Sequence, residues 1–206
     1  MVRHSISDMC RFKVKDGMNI DLGYGLNQEW YKTSWKRGAG CGPTVAANIM
    51  CYLNGKDREK GLIKDDCLAL MEEVWEYVTP TCHGVNSTKL LCKGITDYSI
   101  AKGLHAELLS VDSPKKESLR PDMKSIVCFL EDSLLKDLPV AFLNLCNGSE
   151  ELLDAWHWVT IVSLTYEDDG SVYTEIIDDG KLIKINFGLW YKTTRLGGGL
   201  VRFSFT

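Results

Sequence analysis

Apolar residues recur at helical spacing in four stretches between residues 42 and 137. In the first of these, Val45, Ile49 and Leu53 fall on one face of a helix. Ser87 is a typical N-cap for the third, and Pro121 suits the first turn of the fourth. The pattern therefore predicts four helices, at residues 42–54, about 57–77, about 86–103 and about 121–137.

The last part of the chain is rich in β-branched and aromatic residues instead. It predicts four strands, at residues 156–166, 171–177, 181–187 and 200–205, with Asp-Asp-Gly turn signals after the first two. Short strands are also expected at 105–109 and 140–145, and residues 1–40 suggest strand and loop. Helices followed by an antiparallel sheet indicate the α+β class. We expect a single domain, in which 1–150 is mainly helical and 151–206 forms the sheet.

The composition and charge of the chain argue against several classes of function. The 206 residues carry a net charge of −4 and no basic stripe, which argues against a nucleic-acid partner. No run of about 18 apolar residues occurs, so no membrane span is expected, and the N-terminus lacks an apolar stretch of signal-peptide length. The default prediction is a cytoplasmic protein, and secretion through a signal that has been removed is the alternative.

Eight cysteines are present, but none forms a C-x-x-C pair of the kind that holds zinc or runs redox exchange. Cys82-His83 followed by Cys92 is a weak metal candidate, because the spacing does not fit a known ligand pattern. We expect most of the thiols to be reduced core residues, and we expect no metal or cofactor.

Cys41 differs from the other cysteines in its surroundings, G-A-G-C-G-P-T. If a helix begins near Pro43, Cys41 lies at its N-cap, where unpaired backbone N–H groups and the helix dipole favour a thiolate. Gly40 and Gly42 would let a substrate carbonyl approach, and the Cys41 N–H could donate to an oxyanion. The alternative is a buried structural cysteine.

A nucleophilic cysteine requires a base, and His157 is the best placed of the four histidines. It begins the strand W-H-W-V-T-I-V, where alternation puts His157, Val159 and Ile161 on one face, and residues such as Val162 and Leu164 on the other. The flanking tryptophans, Trp156 and Trp158, would hold the imidazole in place. The alternative is a core histidine with a single hydrogen bond.

Two aspartates and two amides are candidates for the supporting roles. With a two-residue Asp169-Gly170 turn, Asp178 lies opposite Ile161, on the His157 face, while Asp179 lies on the other. Asp178 then falls about four residues short of His157, so a bulge or a longer turn is required. For the oxyanion, Gln28 is the candidate side-chain donor, with Asn27 as the alternative.

Taken in order, these residues resemble a known family. Gln28, then G-C-G-P-T-V-A-A-N-I-M, W-H-W-V-T-I-V and I-I-D-D-G, are similar to the papain-like cysteine peptidases, in particular the group related to bacteriocin-processing peptidases. The match is specific around Cys41 and His157. It is looser at Gln28, which lies farther upstream than usual, and at Asp-Asp-Gly, which replaces Asp-Pro. Residues 57–150 match only as a helical region.

The resemblance implies a papain-like fold, in which the nucleophile helix packs on a C-terminal antiparallel sheet. It implies Cys41 as nucleophile, His157 as general base and acid, Asp178 as the residue orienting His157, and Gln28 as oxyanion donor. The expected substrate is a peptide or amide. Two alternatives remain: an acyltransferase that passes the acyl group to an amine, and an inactive binding module of the same fold.

Overall fold

The computed structural model describes residues 1–55 and 61–206. In this part of the chain the strands are β1 (Val2–Ser5), β2 (Lys13–Lys15), β3 (Asp21–Tyr24), β4 (Leu62–Ile63), β5 (Ala106–Ser113), β6 (Val140–Asn144), β7 (His157–Tyr166), β8 (Val172–Asp178), β9 (Lys181–Ile185) and β10 (Gly198–Phe205). The α-helices are α1 (Ser34–Ala39), α2 (Cys41–Leu53), α3 (Lys64–Trp75), α4 (Thr88–Ala101), α5 (Met123–Leu135) and α6 (Phe187–Thr193).

An antiparallel sheet runs through the middle of the molecule in the order β5-β10-β6-β7-β8-β9. β6 pairs with the first half of β7, and β1 pairs with its second half along the same side. Strands from both the N-terminal and the C-terminal part of the chain therefore alternate within one sheet. A smaller sheet, in the order β3-β2-β4, contacts it where Tyr24 bridges to Gly180.

Helices cover both faces of the large sheet. Alternate residues of its strands point to opposite faces and therefore pack in two different cores. On β6, Ala141 and Leu143 pack with α2, α3 and α4, whereas Val140 and Phe142 pack with α5 and α6. α2 is buried from Gly42 to Tyr52, so it is enclosed between the sheet and the other helices. Its position fixes where the chemistry of its first residue can take place.

The α+β prediction is confirmed, and most elements lie within a few residues of their predicted positions. Ser87 caps α4 as expected, but Asp122 rather than Pro121 marks the start of α5, because its side chain accepts from the Ser125 N–H. The helix predicted from residue 57 begins at Lys64, after β4 (Leu62–Ile63). Its predicted start, at residues 57–60, lies outside the described residues.

Two helices, α1 and α6, were missed. α6 has the sequence F-G-L-W-Y-K-T, whose aromatic residues are typical of a strand. It forms a helix because the Asn186 side chain accepts a hydrogen bond from the Leu189 N–H, which caps its N-terminus. The division into a helical part and a sheet part is also too simple, since β1, β5 and β6 of the large sheet come from residues 1–150.

No helix within residues 1–55 and 61–206 has the length and apolar character needed to cross a membrane.

The cysteines differ in how far they are buried. Cys51 and Cys67 are buried in the core as expected, whereas Cys10, Cys82 and Cys128 are exposed. The prediction that most thiols fill the core is therefore wrong for these three.

Candidate active site

Cys41 is the first residue of α2, one residue before the predicted helix at 42–54, so it lies inside the helix and the N-cap is Gly40. Gly40 separates it from the end of α1 and has no side chain with which to cap the helix. Cys41 therefore belongs to the first turn, whose backbone N–H groups lack partners within their own helix. The sulfur lies where the positive end of the helix dipole favours negative charge.

The glycines beside Cys41 serve packing rather than substrate access. A Cβ on Gly40 would lie 2.7 Å from the ring of Tyr31, and one on Gly42 would lie 2.6 Å from the Val85 side chain. Val85 is held in turn by a 2.5 Å hydrogen bond from Trp158 Nε1 to its carbonyl oxygen. The expectation that these glycines leave open space is therefore wrong, since neighbouring side chains occupy it.

His157 contacts both Asp178 and Cys41. Its Nε2 lies 2.7 Å from Asp178 Oδ1, and both side chains are largely buried. Burial lowers the pKa of His157, but its hydrogen bonds to Asp178 and Cys41 outweigh that effect and raise the pKa to about 10. The geometry thus favours an imidazolium between two acceptors. Its Nε2 faces Asp178, so Nδ1 is the nitrogen available to Cys41.

Asp178 reaches His157 because of two irregularities in the β7–β8 hairpin. The turn has three residues, 168–170, because Glu167 N–H donates to Ser171 O on the far side. A bulge between Ile161 and Ser163 then shifts the register, so that Ile177 pairs with Thr160. Asp178 consequently lies opposite Val159, two residues from His157. The sequence required a bulge or a longer turn, and the hairpin has both.

The same bulge changes which residues of β7 share a core. The predicted alternation put Val162 and Leu164 on the opposite face from Val159 and Ile161. All four pack in one core, because the extra residue reverses the alternation beyond it. The predicted faces are therefore correct only for the first half of β7.

Asp179 has a different position from Asp178. It forms the turn between β8 and β9 with Gly180, and both have positive φ, 43° and 83°, as a type I′ turn requires. Burial raises the pKa of Asp179, and the neighbouring Asp178 charge adds to the effect. His157 Nε2 donates to Asp178 Oδ1, so geometry distinguishes the two candidates.

Gln28 lies in the same small cavity as Cys41 and His157, with a volume of about 20 Å³. It begins a 3₁₀ turn, Gln28–Trp30, and its buried Oε1 has no hydrogen-bond partner. Asn27 has another role, because its side chain accepts from the Glu29 N–H at 2.7 Å and caps this turn. Half of the gap between Gln28 and Cys41 is taken up by α1, which leads directly to Cys41.

Asn48 was missed, although it connects the parts of the site. It is buried on α2, and its Oδ1 accepts a 3.2 Å hydrogen bond from the Leu26 N–H. Its Nδ2 donates to Thr160 Oγ1 on β7 at 2.8 Å. The signal was an isolated amide in the apolar run A-A-N-I-M, seven residues after Cys41 and so on the same helix face.

A groove of about 270 Å³ opens beside Cys41. Three segments line it: α1 with Trp35, the turn at residues 82–84, and Trp156 immediately before His157. The metal candidates Cys82 and His83 are in this groove, while Cys92 is on α4. Among the described residues no group of three or more His, Cys, Asp or Glu side chains is arranged to hold a metal ion.

No protein-family model matches this chain, and no curated protein matches it at a significant level.

Proposed function

We propose that this protein is a cysteine hydrolase with a papain-like fold that cleaves peptide or amide bonds through Cys41, His157 and Asp178. The observation that carries the proposal is the position of His157, which is hydrogen-bonded to Asp178 at 2.7 Å and shares a cavity with Cys41, whose side chain helps to raise its pKa. A nucleophile, a base and a group that orients the base are the parts that acyl transfer requires. The nucleophile helix α2, packed on a sheet that carries His157 and Asp178, supports the papain-like arrangement.

The reaction follows from these positions. Cys41 Sγ attacks the carbonyl carbon, and the resulting oxyanion accepts hydrogen bonds from the Cys41 N–H and from Gln28 Nε2. His157 protonates the leaving amine as the C–N bond breaks, which leaves a thioester on Cys41. His157 then removes a proton from water, which attacks the thioester and releases the acid. Asp178 keeps the imidazole oriented throughout.

A peptide-library cleavage assay tests the proposal. The wild type should cleave a subset of peptides, and Cys41→Ala should cleave none above background. Gln28→Ala should retain cleavage at a rate lowered by about 10²–10³. Cys10→Ala is the matched control, since Cys10 is exposed and is not in the site. Wild-type cleavage that survives in Cys41→Ala would contradict the mechanism.

Alkylation with iodoacetamide near pH 6 tests the alternative that the protein is an inactive binding module of the same fold. A Cys41 thiolate paired with His157 should react much faster than the exposed thiols Cys10, Cys82 and Cys128. Equal rates would favour a binding module that keeps the fold without the reaction.

The second candidate, acyl transfer to an amine, is favoured by the aromatic groove beside Cys41. Two tryptophans at the site would help to exclude water from a thioester intermediate. Incubation with a thioester and an amine distinguishes the two reactions, because a transferase forms the amide and a hydrolase forms the acid.

A further inference from the structure

The groove beside Cys41 combines features that core packing does not explain. Trp35 is 54% exposed and Trp156 is 55% exposed, yet both line this one cavity. Single exposed apolar residues are ordinary on protein surfaces. Two tryptophans brought from separate segments to the edge of a reactive thiol indicate a place where an apolar group is received.

The backbone at Trp156 is also strained. Its φ is 59°, in the left-handed region, where a bulky side chain is rare. Such strain persists where the surrounding structure imposes it, and it is common at binding and catalytic sites. Trp156 directly precedes His157, the first residue of β7, so the strained residue projects from the chain at the start of the catalytic strand.

The turn that completes the groove is firmly fixed. Thr81 and Gly84 exchange backbone hydrogen bonds of 3.2 and 3.0 Å, with Cys82 and His83 at the tip. The following residue, Val85, accepts a hydrogen bond from Trp158. The groove is therefore preformed, and no Asp, Glu, Lys or Arg of the described part of the chain lines it. A charged group bound there would find no Asp, Glu, Lys or Arg of opposite charge among the described lining residues to offset its loss of water.

We propose that this groove is a specificity subsite, in which Trp35 and Trp156 bind a neutral aromatic substituent of the reacting carbonyl compound. The inference rests on the proposed function, since Cys41 is taken as the reacting atom. The occupant follows from the two tryptophans, the lack of Asp, Glu, Lys and Arg among the described residues that line the groove, and the continuity with Cys41. Trp35 and Trp156 thus determine which carbonyl compounds react at the thiol.

The test measures alkylation of Cys41 by two haloacetamides, with mass spectrometry to resolve each cysteine. The thiolate attacks the methylene carbon, an S–C bond forms and iodide leaves, so no further reactant is required. The rate with iodoacetamide measures the reactivity of the thiol alone. N-benzyl iodoacetamide carries the same reactive group together with a neutral aromatic ring. The ratio of the two rates at Cys41 is compared with the ratio at Cys128, an exposed thiol on α5 outside the groove.

The benzyl reagent should be favoured about tenfold or more at Cys41 relative to Cys128, the effect expected for burying an aromatic ring. The preference should fall to less than threefold in Trp35→Ala and in Trp156→Asn, where Asn tolerates the left-handed backbone. Leu152→Ala should retain the preference, because Leu152 is an exposed residue of the same loop outside the groove.

Equal ratios at Cys41 and Cys128, or a preference that persists in both tryptophan variants, would overturn the subsite. So would a preference for N-(2-aminoethyl) iodoacetamide, whose cation the proposal excludes. A failure of the proposed function would give a different result: iodoacetamide itself would react no faster at Cys41 than at Cys128.

Discussion

Asp178 and Asp179 are neighbours in the chain, yet they lie in different local structures. Asp178 ends β8 and meets His157 Nε2, whereas Asp179 is a corner of the β8–β9 turn. The type I′ turn requires positive φ at Asp179 and Gly180, whereas Asp178 belongs to β8, so the two aspartates have different backbone conformations. The two positions should therefore respond differently to substitution.

Asp178→Ala should lower the turnover of a cleaved peptide by about a hundredfold or more, because His157 loses the group that orients it and stabilises its charge. Asp178→Asn should be milder, since its amide oxygen can still accept from Nε2. Steady-state kinetics measure both. Asp179→Asn is the control and should stay within about threefold of wild type, because asparagine suits the turn. A larger loss in Asp179→Asn than in Asp178→Ala would reverse the assignment.

The pKa of His157, raised from 6.5 to about 10, predicts a pH-dependent contribution to stability. A raised folded-state pKa stabilises the fold fully below the unfolded pKa of 6.5, and the stabilisation is lost as pH rises towards 10. The difference in unfolding free energy between wild type and His157→Gln should therefore decrease by about 1 kcal/mol or more from pH 6 to pH 10. Urea denaturation at each pH measures it. A difference that is constant or grows with pH would contradict the assigned charge.

At the scale of elements, the site depends on contacts that hold secondary structures in register. Asn48 connects α2 to the chain before Gln28 and to β7, and the bulge in β7 sets the position of Asp178. The β8–β9 turn is fixed from outside by the smaller sheet, because Tyr24 N–H donates to Gly180 O at 2.8 Å. The candidate residues Cys41, His157 and Asp178 are thus positioned by contacts with residues that have no proposed part in the reaction.

Gly23→Ala should disturb this support. Gly23 has φ 98°, and a Cβ there would lie 2.2 Å from Gly180 O, so the turn after Asp178 must move. We expect a loss of about 2 kcal/mol or more in unfolding free energy, together with lower turnover. Gly17→Ala, in the loop of the same β2–β3 hairpin, meets nothing within 4 Å and should change stability by less than about 0.5 kcal/mol. Similar denaturation midpoints for the two variants would show that the contact does not matter.

At the scale of the molecule, the large sheet alternates strands from distant parts of the chain. β10 lies between β5 and β6, and β7 pairs with both β1 and β6. Cutting the chain between residues 150 and 151 would leave open strand edges and exposed apolar faces on both pieces. The helical and sheet parts are therefore parts of one packed unit.

The fragments 1–150 and 151–206 should each lack fixed tertiary structure when expressed separately, as measured by near-UV circular dichroism and amide dispersion in NMR spectra. Mixing them should restore part of the native signal, since the missing strands then become available. A cooperative unfolding transition in 1–150 alone would show instead that the N-terminal part folds without β7, β8 and β10.

The sequence by itself determined the local features of this protein. Periodicity and capping residues located most helices and strands. The residues on either side of Cys41 and His157 identified these two as candidate site residues. Both signals are local, because helical spacing, capping and turn chemistry act over a few residues. Gln28 and Asp178 were proposed from the sequence, but only with Asn27 and Asp179 left open as alternatives.

Only the tertiary structure decided how these residues meet. The β7 bulge, the three-residue turn and the packing of β1, β5 and β6 into the sheet depend on pairing between distant segments, which alternation cannot specify. Asn48 and the aromatic groove likewise arise from segments that are separate in the chain. A one-residue shift in strand register would move Asp178 away from His157, so the candidate site exists only through the packing of the whole fold.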